Sequence, residues 1–93
     1  MEEKDIDPIQ LPINGILDLH MFAPKDAASV VKEYIRACLE KKIYEIRIIH
    51  GKGKGVLRET VHALLERHPD VMNFRLDSGP SSWGATLVFL RTK

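Results

Sequence analysis

A single cysteine, a single tryptophan and no apolar run of 18 residues set the first boundaries on this 93-residue chain. Cys38 has no second cysteine to pair with, so an intrachain disulfide is excluded and a reducing compartment is the natural setting. The lack of a long apolar run and of a signal-peptide pattern argues against a membrane span and against export by that route. The expectation is a cytoplasmic protein. There is no low-complexity segment and no internal repeat. A formal net charge of +1 is far from the basicity of a dedicated nucleic-acid coat. What is present is ordinary globular composition, 44% hydrophobic and 29% charged, which excludes disorder as the general state and bounds the chain to one domain with one modest core.

The small net charge hides an asymmetry. Glu2, Glu3, Asp5 and Asp7 against Lys4 give residues 1–11 a balance of −3, and residues 12–93 carry 13 basic and 9 acidic side chains. Residues 1–11 read as a short, loosely held acidic tail and residues 12–93 as the domain. Within it, residues 13–20 read as a strand with Leu17 and Leu19 on one face and Asp18 and His20 on the other. Pro24 and Asp26 suit a helix start. Ala27, Val30, Val31, Tyr34, Ile35, Cys38 and Leu39 then follow helical spacing to about Lys42. A second strand covers 44–50. A second helix covers 56–68, with Leu57, Val61, Leu64 and Leu65 as its stripe and Pro69 as its stop. Residues 71–77 alternate Met72, Phe74 and Leu76 against a wet face of Asn73, Arg75 and Asp77, residues 78–84 form a loop carrying Trp83, and residues 85–91 form a last apolar strand.

The order βαβαββ, with one wet sheet face, predicts an α/β two-layer sandwich: a mixed four-stranded sheet, two helices on one face, and the last strand antiparallel to its neighbour. Ligands of open α/β sheets gather at the carboxyl ends of the parallel strands. Both Asp18-Leu19-His20 and His50-Gly51-Lys52-Gly53 fall at such ends and are expected near each other. In the second stretch Gly51, Gly53 and Gly55 alternate with Lys52 and Lys54 just before a helix. Glycines permit a sharp turn and close approach of a ligand, and the helix start directs N–H groups and a positive dipole end at it. The chemistry points to an anion, above all a phosphate.

Leu17-Asp18-Leu19-His20, Ile49-His50-Gly51-Lys52-Gly53 with Leu57-Arg58, and Gly84-Ala85-Thr86-Leu87-Val88 together resemble the three signature stretches of the small MutS-related (Smr) domain, across residues 12–93. The chain resembles a stand-alone Smr domain, without the ATPase and clamp regions of MutS. Where the family has glycine after the first histidine, this chain has Met21-Phe22. The resemblance implies the sandwich just described, nucleic-acid binding (DNA or RNA) and endonuclease activity, with Asp18, His20, His50, Gly51 and Gly53 as the residues tied to it. In that reading Asp18, His20 and His50 are catalytic. Lys52, Lys54, Gly55, Arg58 and Trp83 join the glycines in holding phosphate or base.

Phosphodiester cleavage needs a base, a proton donor and positive charge at the non-bridging oxygens. Two histidines can share the first two tasks and the lysine-glycine loop supplies the third. Asp18 could orient an imidazole or hold Mg²⁺ or Mn²⁺. Each residue also has a plainer role: Asp18 as a loop hydrogen-bonder, the histidines as strand ends, the glycines as a turn, Trp83 as packing. His62 and His68 show no partner in the sequence and take no role, and Cys38 reads as core. The glycine spacing departs from the Walker A pattern and no dinucleotide fingerprint is present, which sets a nucleotide cofactor aside. Two alternatives stay open: a non-catalytic module binding RNA, branched DNA or a ribosomal surface, and a protein-interaction module using the wet sheet face.

Overall fold

A computed structural model describes residues 13–19, 22–51, 55–77 and 84–92. The elements are β1 (Ile16–Asp18), α1 (Ala27–Glu40), β2 (Glu45–Ile49), α2 (Val56–Arg67), β3 (Val71–Leu76) and β4 (Ala85–Leu90), with a short 3-10 turn, Pro24–Asp26, leading into α1. The spatial order of the sheet is β1-β2-β4-β3. β1 and β2 are parallel, and β4 lies antiparallel between β2 and β3. The two-layer α/β sandwich with the order βαβαββ is therefore the fold.

One face of the sheet is dry. Leu17, Leu19, Ile46, Ile48, Val88 and Leu90 are buried with Val30, Val31, Tyr34, Ile35 and Cys38 of α1 and with Val61 and Leu65 of α2. The alternate strand residues Ile16, Arg47, Asn73 and Arg75 lie on the open face at intermediate or full exposure, as the period-2 pleat requires. There Arg47 Nε lies 3.3 Å from Asp77 Oδ2. The helical stripes match the sequence reading, with Leu39, Leu57 and Leu64 packed at the rim of the core.

Three local features depart from it. β1 is shorter than the 13–20 pattern implies. Gly15 has a φ of +93° before it, and Leu19 already belongs to a turn closed by Phe22 N–H donating to its carbonyl at 3.1 Å. In β3, Met72 is 55% and Leu76 42% exposed although their alternation suggested a dry face. β3 is the sheet edge and its register shifts between Val71 and Asn73, so Phe74 alone of the three packs against the core. α1 ends two residues before Lys42. The Ile43 N–H donates to Cys38 O at 2.8 Å and the Lys42 N–H to Leu39 O at 3.1 Å, a Schellman closure that places Lys42 at φ +63°. The acidic tail, residues 1–11, lies outside the described residues.

Candidate functional site

The pairing of β1 with β2 sets the geometry. Asp18 is opposite Ile49, so the first and second signature strands finish side by side. Beyond Ile49 the chain turns at once: the amides of His50 and Gly51 both donate to Gly84 O, at 2.9 and 2.8 Å. Gly51 has a φ of +84°, left-handed backbone that favours glycine. One carbonyl at the start of β4 thus pins the turn that precedes α2.

Gly55, also at φ +84°, holds the N-cap position of α2, where no side chain caps the helix. A β-carbon added there would sit 2.8 Å from Arg58 Nη2. Arg58 therefore folds its guanidinium back over the start of its own helix. Its charge adds to the positive dipole end, so an anion meeting the turn would find both.

The histidine of the turn is 5% exposed. His50 Nδ1 lies 3.1 Å from Gly51 O and Nε2 lies 2.8 Å from Thr86 Oγ1. The same hydroxyl lies 2.8 Å from Nε2 of His62 on α2. The imidazoles meet edge to face with centroids 6.1 Å apart, and His62 also packs on Phe74 at 5.0 Å. Burial pushes the His62 pKa down, and His50 and Arg58 push it further the same way, against a smaller opposing pull from Glu66.

The pleat separates two of the expected site residues. Asp18 shares a row with Ile49, while His50 falls in alternation with buried Ile48 and reaches Thr86 and α2 on the helical side. The carboxylate and the imidazole belong to the same end of the sheet but leave its two faces. Gly51, Gly55 and Arg58 gather at that end with His50. His20, Lys52, Gly53, Lys54 and Trp83 lie outside the described residues. Among the described residues no three His, Cys, Asp or Glu side chains are grouped to hold a metal ion.

Sequence reasoning passed over Thr86 and His62. A signal for each was there. Thr86 is a lone hydroxyl in the strand Ala85–Leu90, at a position that pairs with buried Ile48. His62 falls on the i, i+3, i+4, i+7 line through Arg58, Val61 and Leu65.

Comparison with known proteins agrees with this architecture. The chain is 34% identical over 80 residues to Endonuclease MutS2 of Clostridium tetani, covering 85% of this chain and 10% of that protein. It is 35% identical over 74 residues to Ribosome rescue factor SmrB of Yersinia enterocolitica, covering 80% of this chain and 41% of that one. It thus spans a tenth of the first relative and about two fifths of the second. The crystal structure of the Smr domain of Thermus thermophilus MutS2 superposes with a TM-score of 0.75 at 29% identity, covering 84% of this chain and 99% of that one. YdaL, a stand-alone small MutS-related protein from Escherichia coli, gives 0.74 at 25% identity, over 84% and 65%. A family model described as Smr domain matches residues 17–91. With the three signature stretches meeting at one end of a sheet of this topology, the chain belongs to the Smr domain family.

Proposed function

We propose that this chain binds nucleic acid through its phosphate backbone and cleaves phosphodiester bonds at the shared end of β1 and β2. The observation that carries the reading is the register of Asp18 with Ile49, which puts the first signature stretch beside the His50-Gly51 turn. In this reading the 51–55 turn with Lys52, Lys54 and Arg58 grips a phosphate, and its N–H groups and cations stabilise charge on the non-bridging oxygens. Asp18 and His20 carry the proton transfers, and His50 holds the turn. Trp83 stacks on a neighbouring base or sugar. Relatives named as an endonuclease and as a ribosome rescue factor support a nucleic-acid substrate and leave DNA and RNA both in play.

The test is incubation of the purified chain with labelled single-stranded RNA and with supercoiled plasmid, each with and without Mg²⁺ or Mn²⁺. Cleavage by the parent chain that disappears in Asp18→Asn and His20→Ala, with unchanged thermal melting, is the expected result. A 2′,3′-cyclic phosphate end would mark attack by the 2′-hydroxyl of RNA. Absence of cleavage on every substrate would overturn the catalytic part.

A second reading has its own observation. Both ring nitrogens of His50 are engaged within the protein, which suits a rigid phosphate cradle in a non-catalytic binding module as well as a nuclease. Binding separates both from a protein-interaction module. If about three or four cations of the turn region contact phosphates, log K falls against log salt with a slope of about −3 on duplex DNA. Arg58→Ala is expected to lower that slope by about 1 and weaken all sequences alike. A flat salt response would refute nucleic-acid binding through this turn.

A further inference from the structure

Thr86 Oγ1 is the centre of a hydrogen-bond chain that crosses the helical face of the sheet, from the His50 turn to α2. Gly51 O can only accept, so the hydrogen of neutral His50 sits on Nδ1. Its Nε2 then presents a lone pair, and the Thr86 hydroxyl donates to it at 2.8 Å. The hydroxyl oxygen in turn accepts from His62 Nε2–H, also at 2.8 Å. Each step fixes the next. Thr86 is 0% exposed, and among the described residues its hydroxyl has no further hydrogen-bond partner.

We propose that His62 is a positioning residue for His50: through the Thr86 hydroxyl it supports the hydrogen on His50 Nδ1 that Gly51 O selects, and it keeps the two imidazoles from being charged together. The reason is a count of hydrogens. Protonated His62 still donates from Nε2, so the chain tolerates charge there. Protonated His50 also turns an N–H toward Thr86, and the hydroxyl must then rotate and donate to His62 Nε2. That requires a lone pair on His62 Nε2 and therefore a neutral His62. With both rings charged, two N–H groups face one oxygen and the buried hydroxyl hydrogen is left without its acceptor.

The groups facing His62 reinforce this. They are His50 from the end of β2, the Phe74 ring from β3, the Thr86 hydroxyl from β4, and Arg58 and Glu66 from its own helix. Burial, His50 and Arg58 all oppose charge on it, and Glu66 alone favours it. In its consequence the inference rests on the phosphate-binding reading of the turn. There, positive charge comes from the turn's cations and at most one imidazole, and His50 serves as a neutral strut behind Gly51.

Imidazole ¹⁵N and ¹³C NMR of the full chain without substrate, from about pH 8 to about pH 5, reads the prediction directly. At the upper end His50 should carry hydrogen on Nδ1 and His62 on Nε2. On acidification the second proton taken up by the pair should be held back by about one pH unit or more relative to Thr86→Val, where the bridge is gone. Thr86→Ser should restore the wild-type spacing. Should Thr86→Val fail to fold, His62→Leu provides a second reading: His50 should take its proton at lower pH than in the parent, because the rotated Thr86 hydroxyl has lost its acceptor. Hydrogen on Nε2 of His50 at neutral pH would overturn the proposal. So would equal spacing in the parent and Thr86→Val, or a His50 titration unmoved by His62→Leu. Because no substrate is present, a chain that cuts nothing refutes the nuclease reading alone.

Discussion

Tyr34 shows how much one buried polar atom can organise. Its hydroxyl accepts from the Gly15 N–H at 3.0 Å and donates to Ile16 O at 3.0 Å, with Asn14 N–H and Asn14 Oδ1 close by. α1 thereby holds the start of β1, a three-residue edge strand with few ladder bonds of its own. Tyr34→Phe leaves the Gly15 amide and the Ile16 carbonyl short of a partner, so it is expected to cost about 1–3 kcal/mol in urea unfolding. An unchanged midpoint would show that the hydroxyl does not anchor the strand. The aromatic ring could be read from the sequence as core, because it falls on the apolar stripe of α1. Its tie to residues 18–20 positions earlier could not, since periodicity reports which face a residue occupies and nothing about what its polar tip meets. The same holds for His62, whose bond to Thr86 spans 24 residues, and for His50, whose bond to Thr86 spans 36.

Among the elements, the helices follow the sequence most closely and the edges least. A helix satisfies its backbone locally and its apolar stripe is long enough to fix its phase. α1 stops where Lys42 takes the left-handed conformation required by the Schellman closure, a conformation that costs an L-residue with a β-carbon about 1–2 kcal/mol. Lys42→Gly is therefore expected to stabilise the chain by about 1 kcal/mol, part of the gain being offset by the freer unfolded chain. For a domain of this size that raises Tm by roughly 4–8 °C. A lower Tm would mean that the Lys42 side chain makes contacts worth more than the backbone strain. The edge strands are different. Met72 and Leu76 alternate as a dry face should, yet lie exposed, because among the described residues no strand lies beyond β3 and burial at an edge depends on what covers it.

For the molecule as a whole, the titration of His62 couples the interior to pH. Its pKa is lowered in the folded chain, so the unfolded chain binds the proton more readily. The sign follows: stability is full above the unfolded value of about 6.5 and falls as pH drops through the interval down to the lowered folded value. Chemical unfolding at a series of pH values, compared between the parent and His62→Gln, should show this segment in the parent alone. Parallel curves would remove His62 as its source. Cys38 belongs to the same interior. Burial raises its thiol to a pKa of about 11, so alkylation at neutral pH should await unfolding.

The sequence by itself determined the element order, the helix stripes and central-strand residues that face the core, and the family, because these rest on local periodicity and on contiguous motifs. It also placed the first signature stretch and the His50 turn at strand ends expected to lie together, and β1 and β2 are neighbours in register. Only the tertiary structure decided that β4 inserts between β2 and β3, that Asp18 and His50 leave opposite faces of the sheet, and that Thr86 joins His50 to His62. Strand order and cross-sheet hydrogen bonds depend on pairings between distant segments, and their energy appears only when those segments are brought together.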